Sequence, residues 1–288
     1  MVYWLCALAV IALFFIIVIY HDTHNFVTRH YVIESDKITK NIRFCLLSDL
    51  HEQSFGNNKS NDSLIEQIDK ENPDAILIAG DMLTAHRNVN KQNMDIAVDL
   101  LSDLVKKYPV YLANGNHEYK LLSRTAVFGD YYKRYEDALS SFGLSILRNE
   151  SIDLEDYNIK ITGLELEYAY FKKFRKRPLS MEHITELIGD LDNKKYNLLI
   201  AHNPQYFDEY ADWGADLTVS GHVHGGIMRL PFVGGVIAPS YEIFPKYDGG
   251  LFDIQGKKMI LSRGLGTHTL KIRVFNPGEL DVIDLKVK

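Results

Sequence analysis

The sequence predicts an α/β protein with mixed rather than purely parallel sheets, carried behind one apolar N-terminal segment. Three observations predict it. From residue 42 onward, short apolar runs alternate with stretches of helical periodicity. Strand-like runs grow denser toward the C-terminus, which argues against an all-parallel sheet. Val2 to Tyr20 is unbroken apolar and aromatic sequence without a charge.

The chain has 288 residues with 32 Lys+Arg and 38 Asp+Glu, a formal net charge of −6. With 46% hydrophobic residues it is too apolar for disorder, and it is too long for a disulfide-stapled miniprotein. A mildly acidic chain lacks the cation surplus of a large phosphate footprint, so no specific nucleic-acid partner is expected. Of the two cysteines, Cys6 lies in the apolar start and Cys45 in an expected buried strand, so no disulfide is expected.

Val2 to Tyr20 would rise about 28 Å as a helix, close to the roughly 30 Å hydrocarbon core. Tyr3, Trp4 and Tyr20 stand near its two ends, where aromatic rings favour the headgroup level. The competing reading, a cleaved signal peptide, needs a basic leader and a small-x-small cleavage site, and His21-Asp-Thr-His24 offers none. Residues 1–22 are therefore expected to form a single-pass anchor in the cell membrane. Arg29, Lys37, Lys40 and Arg43 follow it, which weakly favours a cytoplasmic domain by the positive-inside rule. His21, His24 and His30 are taken as scattered surface histidines rather than a metal tract.

Residues 23–41 read as a polar connector with the first strand region, and residues 42–288 as one globular domain. Ile42–Ser48 is apolar enough for a buried strand. Ser63-Leu-Ile-Glu66 has capping-box spacing and opens a helix to about Lys70. Ala75–Ala79 is a second apolar strand. Asn93–Lys107 carries Ile96, Ala97, Leu100, Leu101 and Leu104 at helical spacing. Pro109–Ala113 is a third strand and Tyr131–Phe142 a third helix. Ile159–Thr162, Asn197–Ala201, Asp216–Ser220, Lys258–Ser262 and Leu280–Val287 supply further strands.

Five polar clusters stand at strand ends: Asp49-Leu-His51, Gly80-Asp81, Gly115-Asn-His-Glu118, His202, and Gly221-His-Val-His224. In α/β sheets ligand sites gather beyond the carboxyl ends of strands. Each cluster alone is weak, since Gly-Asp after a strand is usually a turn and a lone His usually structural. Their shared placement makes the set specific. Imidazoles with carboxylates and one amide oxygen suit Fe, Mn or Zn, whereas the absence of thiolates argues against a soft metal. Seven donors exceed one tetrahedral site, so two ions sharing a bridging carboxylate, best supplied by Asp81, are the economical reading.

This series resembles the calcineurin-like metallophosphoesterase superfamily over about residues 42 to 225. Further stretches, His224-Gly-Gly through Leu230-Pro-Phe, Phe244-Pro-Lys-Tyr-Asp-Gly-Gly-Leu and Ser262-Arg-Gly-Leu-Gly, resemble its bacterial membrane-associated branch of YkuE/YaeI-type phosphohydrolases. The resemblance implies a four-layer fold, two mixed β-sheets packed as a sandwich and flanked by helices. It implies a dinuclear centre of divalent or mixed-valence first-row ions, with Asp49, His51 and His224 on the first ion, Asp81 bridging, and Asn116, His202 and His222 on the second. His117 resembles the catalytic histidine of the Gly-Asn-His motif, with Glu118 as a candidate orienter. Ile227 and Tyr241-Glu242 depart from the branch's usual residues without touching an expected ligand.

Two cations about 3.5–4 Å apart would hold phosphate oxygens and make hydroxide near neutral pH, for in-line attack on phosphorus with His117 assisting. An anchored hydrolase meets lipid-linked phosphoesters at high local concentration, so a membrane-surface phosphoester or pyrophosphate is the expected substrate. Arg263 and Lys246 are candidate phosphate contacts. Lys172-Lys-Phe-Arg-Lys-Arg177 is either a solvated loop or a contact for anionic lipid or phosphate. The alternative is a non-catalytic metal-binding scaffold of the same fold, which the intact site disfavours.

Overall fold

The structure is a computed structural model describing residues 2–56, 60–172, 176–230, 232–238, 242–267 and 271–288. Residues 173–175 of the basic stretch and Tyr241 fall outside the described residues.

A five-stranded sheet has the order β1-β13-β2-β3-β4. Its strands are β1 (Phe26–Ser35), β2 (Ile42–Leu47), β3 (Ala75–Ala79), β4 (Val110–Ala113) and β13 (Gly278–Val287). β2, β3 and β4 run parallel, and β13 enters antiparallel to β2 with Ile283 opposite Phe44. A six-stranded sheet has the order β11-β12-β8-β7-β6-β5. It comprises β5 (Glu150–Leu154), β6 (Ile159–Leu164), β7 (Tyr196–Ala201), β8 (Leu217–Ser220), β11 (Gly250–Ile254) and β12 (Lys257–Leu261). β6, β7, β8 and β12 are parallel, and the two edge strands antiparallel. A small hairpin joins β9 (Arg229–Leu230) to β10 (Gly234–Gly235). The sheets are mixed, as the sequence predicts.

Strand period two explains the layering, because successive side chains point to opposite faces. Phe44 and Leu46 of β2 pack between the sheets with Leu198, Ile200 and Val219. Cys45 and Leu47, pointing the other way, pack under the helices. Those helices are α2 (Asp62–Glu71), α3 (Asp95–Val105), α4 (Asn116–Ser123), α5 (Thr125–Phe128) and α6 (Tyr131–Ser141). On the far face of the second sheet, α7 (Met181–Ile188) and α8 (Phe207–Trp213) cover Leu199 and Ala201. Helix, sheet, sheet, helix gives four layers, and both faces of each sheet are buried, so the parallel strands read as continuous apolar runs.

Helix α1 (Val2–His24) is long and apolar enough to cross a membrane. Its last turn is fastened to the domain. Asp22 Oδ2 accepts from Asn276 N at 2.8 Å, Thr23 Oγ1 accepts from Arg273 N at 3.2 Å, and Gln53 Nε2 donates to the Thr23 carbonyl at 2.7 Å. One local expectation differs. The helix expected to open on Ser63 starts at Asp62 behind Asn61 with no side-chain cap, so the Ser63–Glu66 capping box is not formed. Within the expected 23–41 connector and first strand region lies β1, paired with β13 over ten residues. Cys6 and Cys45 are free, as expected.

Candidate metal centre

The parallel strands of both sheets deliver their C-terminal ends to one edge. There Asp49 N donates to the Gly80 carbonyl at 2.9 Å, and Gly221 N to the His202 carbonyl at 3.2 Å. Immediately past the strands the backbone turns left-handed. Asp49, His51, Asp81, His222 and His224 have φ of 53°, 49°, 53°, 76° and 53°. Each such non-glycine residue costs about 1–3 kcal/mol, and strain of this kind clusters where side chains must be aimed. Five of the seven expected ligands are held this way.

The aim is convergent. His224 Nε2 is 3.2 Å and His51 Nε2 3.7 Å from Asp49 Oδ1, and the two Nε2 atoms face each other at 3.1 Å. His202 Nε2 is 3.1 Å from Asp81 Oδ2 and 3.9 Å from Asp49 Oδ1. Asp81 Oδ2 also lies 3.8 Å from His51 Nε2 and 4.0 Å from His117 Nε2. Three groups have donor atoms within 4.8 Å of one another: Asp49–His51–His224, His51–Asp81–His117 and Asp81–His202–His222. The rings of His202 and His222 meet edge to face at 5.3 Å, with Phe171 beside His222 at 5.3 Å.

The surrounding bonds set the tautomers. His202 Nδ1 faces the Ala79 carbonyl at 2.5 Å and His224 Nδ1 the Gly266 carbonyl at 3.2 Å. A carbonyl can only accept, so both Nδ1 atoms carry a proton, and Nε2 is the atom each ring has left for a metal ion. His117 is the reverse: its Nδ1 accepts from Ala85 N at 2.8 Å, so its proton is on Nε2. Thr84 Oγ1 holds His51 Nδ1 at 3.1 Å.

Glu118 is buried and accepts three backbone N–H groups, from Leu83 at 2.8 Å, Asp81 at 2.9 Å and Gly115 at 3.0 Å. It therefore positions the Asp81 turn and the start of α4, while Ala85 N–H holds His117 Nδ1. His117 N, at the α4 N-terminus, donates to Asp81 Oδ1 at 2.8 Å. Two glycines permit this closeness. A Cβ on Gly115 would overlap Asp81 Oδ1, and one on Gly221 would overlap Ser48 Oγ and Asp49 Oδ2.

Burial works against ionising Asp49 and Asp81, yet the imidazoles around them hold both carboxyls well below the usual range. Burial also opposes charging His202, but Asp81 and Asp49 outweigh it and push its pKa up to about 10. Burial, which Asp81 offsets only in part, takes His117 down to about 3, and burial with the neighbouring His202 takes His222 down to about 3. Glu118 is pushed up to about 7 by burial and then by Asp81, against its three N–H donors.

The donor set fits a pair of first-row cations. Imidazole Nε2 atoms point at carboxylate oxygens, an arrangement that calls for positive charge between them: a proton on His202 in the metal-free site, or a cation in its place. Asn116 is buried with an Oδ1 that has no hydrogen-bond partner, and the buried His202 Nε2 has none either, its 3.1 Å approach to Asp81 failing hydrogen-bond geometry. A cation at this edge would give both atoms a partner.

All eight expected residues lie at this edge. Arg263 turns inward, its Nε 3.3 Å from buried Glu279, and Lys246 pairs with exposed Asp208 at 2.8 Å. Of the basic stretch, Lys176 and Arg177 pair with Glu209 and Glu167 at 3.0 and 3.1 Å. Sequence reasoning missed the clamp behind His224. Asn276 Nδ2 donates to the carbonyls of His224 and Gly226 at 2.7 and 2.5 Å, and the buried Arg273 guanidinium donates to those of Arg263, Gly264 and Gly266. Arg273-Val-Phe-Asn276 carries no signal of its own, being separated from His224 by about 50 residues.

Residues 42–226 match the family described as calcineurin-like phosphoesterase, and the chain belongs to that family. It is a metal-dependent phosphate-ester hydrolase of a family whose members carry two metal ions. Among curated relatives, an uncharacterized metallophosphoesterase of Aquifex aeolicus is 26% identical over 270 residues, 93% of this chain and 94% of the relative. The uncharacterized metallophosphoesterase YkuE of Bacillus subtilis is 25% identical, over 93% of this chain and 88% of its own. The phosphodiesterase YaeI of Escherichia coli is 24% identical, over 78% and 75%. Among solved structures, a dimetal phosphatase from Danio rerio is 12% identical with a TM-score of 0.42, over 78% of this chain and 88% of that one.

Proposed function

We propose that the chain is a two-metal phosphohydrolase acting on a phosphoester or pyrophosphate at a membrane surface. Asp49, His51 and His224 would hold one ion and Asn116, His202 and His222 the other, with Asp81 shared between them. The observation that carries this is Asp81: one oxygen is fixed by His117 N–H, and the other faces His202, His51 and His117 within 4.0 Å. Mn, Fe or Zn suit these ligands. A bound pair supplies Lewis acidity toward phosphoryl oxygens and a nucleophile at neutral pH.

The chain's own residues supply the rest. Oxygen from water bonds to phosphorus as the bond to the leaving oxygen breaks. His117, neutral with its proton on Nε2, gives a hydrogen bond to the charge that grows on oxygen. Its Nδ1 is occupied by Ala85 N–H, so it acts as a fixed donor rather than as an imidazolium acid. Glu118 and Gly115 keep Asp81 in place while this happens.

Helix α1 anchors the domain, and the cations that follow it support a cytoplasmic placement. The test is a substrate panel on full-length, Mn²⁺-loaded protein in lipid vesicles: p-nitrophenyl phosphate, its bis ester, and lipid phosphates and pyrophosphates. Higher kcat/KM on a lipid phosphate than on either soluble ester supports the reading. Preference for the soluble esters over every lipid tested contradicts the membrane-surface part, and no turnover of any of them contradicts the hydrolase.

A further inference from the structure

The loops behind the metal centre display large apolar side chains to the outside. Phe232 is fully exposed, and Val233, Ile243 and Phe244 are more than half exposed, with Leu230 and Phe275 beside them in sequence or structure. These residues come from three segments joined by backbone bonds: Arg229 N donates to the Val274 carbonyl at 3.0 Å, Val274 N to the Ile227 carbonyl at 3.3 Å, and Phe244 N to the Val236 carbonyl at 3.0 Å. Phe232, Phe244 and Phe275 have φ of 66°, 50° and 52°. Left-handed backbone is costly for a bulky side chain. The fold thus accepts strain at three phenylalanines that make little use of its core. Clustered exposed apolar surface of this kind marks an interaction face.

What covers that face follows from α1. The Phe275 ring lies 6.2 Å from the rings of both Phe14 and Phe15. Val2–Tyr20 rises about 28 Å, so the whole apolar run belongs in a hydrocarbon core of roughly 30 Å. Phe15 stands six residues before polar His21, about 9 Å along the helix. Whatever surrounds α1 at that depth surrounds Phe275 as well.

Resting on the reading of α1 as a membrane anchor, we infer that the loops bearing Phe232, Phe244 and Phe275 enter the bilayer beside α1 as a second, monotopic contact. Aromatic side chains buried about 5–10 Å at the acyl boundary are the usual form of such contacts. The contact reaches the metal centre through one residue. Asn276, next to Phe275, takes its N–H to Asp22 at the end of α1 and its Nδ2 to the His224 carbonyl. The wall of the centre that carries His224 then stands at the headgroup plane, where phosphoesters of lipids lie.

The test uses full-length protein in phosphatidylcholine–phosphatidylglycerol vesicles. An environment-sensitive fluorophore is attached at residue 232 (Phe232→Cys) or 244 (Phe244→Cys), each with Cys6→Ser; Cys45 is fully buried. Two references are native Cys6 on α1, and Met181→Cys with Cys6→Ser on exposed α7. The expected result is acyl-chain nitroxide quenching at 232 and 244 roughly threefold or more above that at 181, comparable with Cys6. Quenching at Cys6 with residues 232 and 244 no different from 181 overturns the inference and leaves the anchor standing. No quenching at Cys6 removes the anchor and the inference together. A 232 label that is blue-shifted yet indifferent to the lipid nitroxide is buried against protein, and overturns the inference in favour of a protein partner.

Discussion

Ala85 donates its backbone N–H to Nδ1 of His117 at 2.8 Å, and this bond separates His117 from His202 and His224. His202 and His224 turn Nδ1 to backbone carbonyls and Nε2 to the carboxylates; His117 accepts at Nδ1 and presents its proton on Nε2. Identical imidazoles thus become ligands or a hydrogen-bond donor according to one backbone contact each.

Replacing His117 by Ala should therefore leave the ligand set intact and remove a donor to the transition state. The expected loss is about 10²–10³-fold in kcat, with metal content unchanged by elemental analysis. Full activity in a fully loaded variant would take His117 out of the mechanism.

Gly115→Ala should be almost as damaging, although Ala carries no chemistry. Its Cβ would overlap Asp81 Oδ1 and push the carboxylate off its place. A misplacement near 1 Å costs about 10²-fold in rate, so activity should fall by that order and Mn²⁺ affinity should drop in a titration. Wild-type metal affinity and rate would show that Asp81 has room to move.

Asn116→Ala should move stability and metal response in opposite directions. Asn116 Oδ1 is buried without a hydrogen-bond partner, so its removal relieves an unsatisfied group. The metal-free Tm should stay level or rise by a few degrees, while the Tm increase on adding Mn²⁺ should shrink. An unchanged increase with Mn²⁺ would exclude Asn116 as a ligand.

Asp216 gives a pH dependence away from the centre. Its carboxylate accepts from Asn197 N at 2.9 Å and from Lys37 and Lys257 at 2.8 Å, tying the chain after β1 to the second sheet. Burial opposes its charge, but these partners prevail and hold its pKa below the ordinary value. A depressed folded pKa contributes stability above the unfolded value near 4, lost as pH falls through the folded one. Asp216→Asn should thus cost about 1–3 kcal/mol at pH 7 in urea unfolding, and progressively less as the pH is lowered below 4. A pH-independent deficit would assign the effect to shape rather than charge.

The sequence made most of this pocket legible because its residues stand beside features with a strong local signal. Asp49, Asp81, His202 and His222 follow short apolar runs, and each run is buried on both faces, so its end is easy to find. Gly115 and Gly221 belonged to the visible pattern, but their purpose, allowing a carboxylate or hydroxyl against the backbone, needs coordinates. β1 was harder to see. Phe26–Ser35 carries Arg29, His30 and Glu34 in a partly exposed edge strand, and its partner β13 lies about 250 residues away. The Ser63 capping box failed because Asn61 took the N-cap position one residue ahead of the helix. Glu118 looked like the partner of His117 by adjacency, yet a helix N-terminus sends neighbouring side chains in different directions, and its carboxylate went to the Asp81 turn. Arg273 and Asn276 act through backbone carbonyls, contacts that leave no trace in residue pattern.

Metal stoichiometry tests the pocket most directly. Full-length protein loaded with Mn²⁺ and freed of excess is analysed for metal per chain, beside Asp81→Ala, with turnover of bis-p-nitrophenyl phosphate measured on the same samples. Two ions per wild-type chain, with the variant losing metal and turnover together, is the expected result. A wild-type chain that turns over substrate with no bound metal, or an Asp81→Ala chain that keeps both ions, would contradict a caged pair bridged by Asp81.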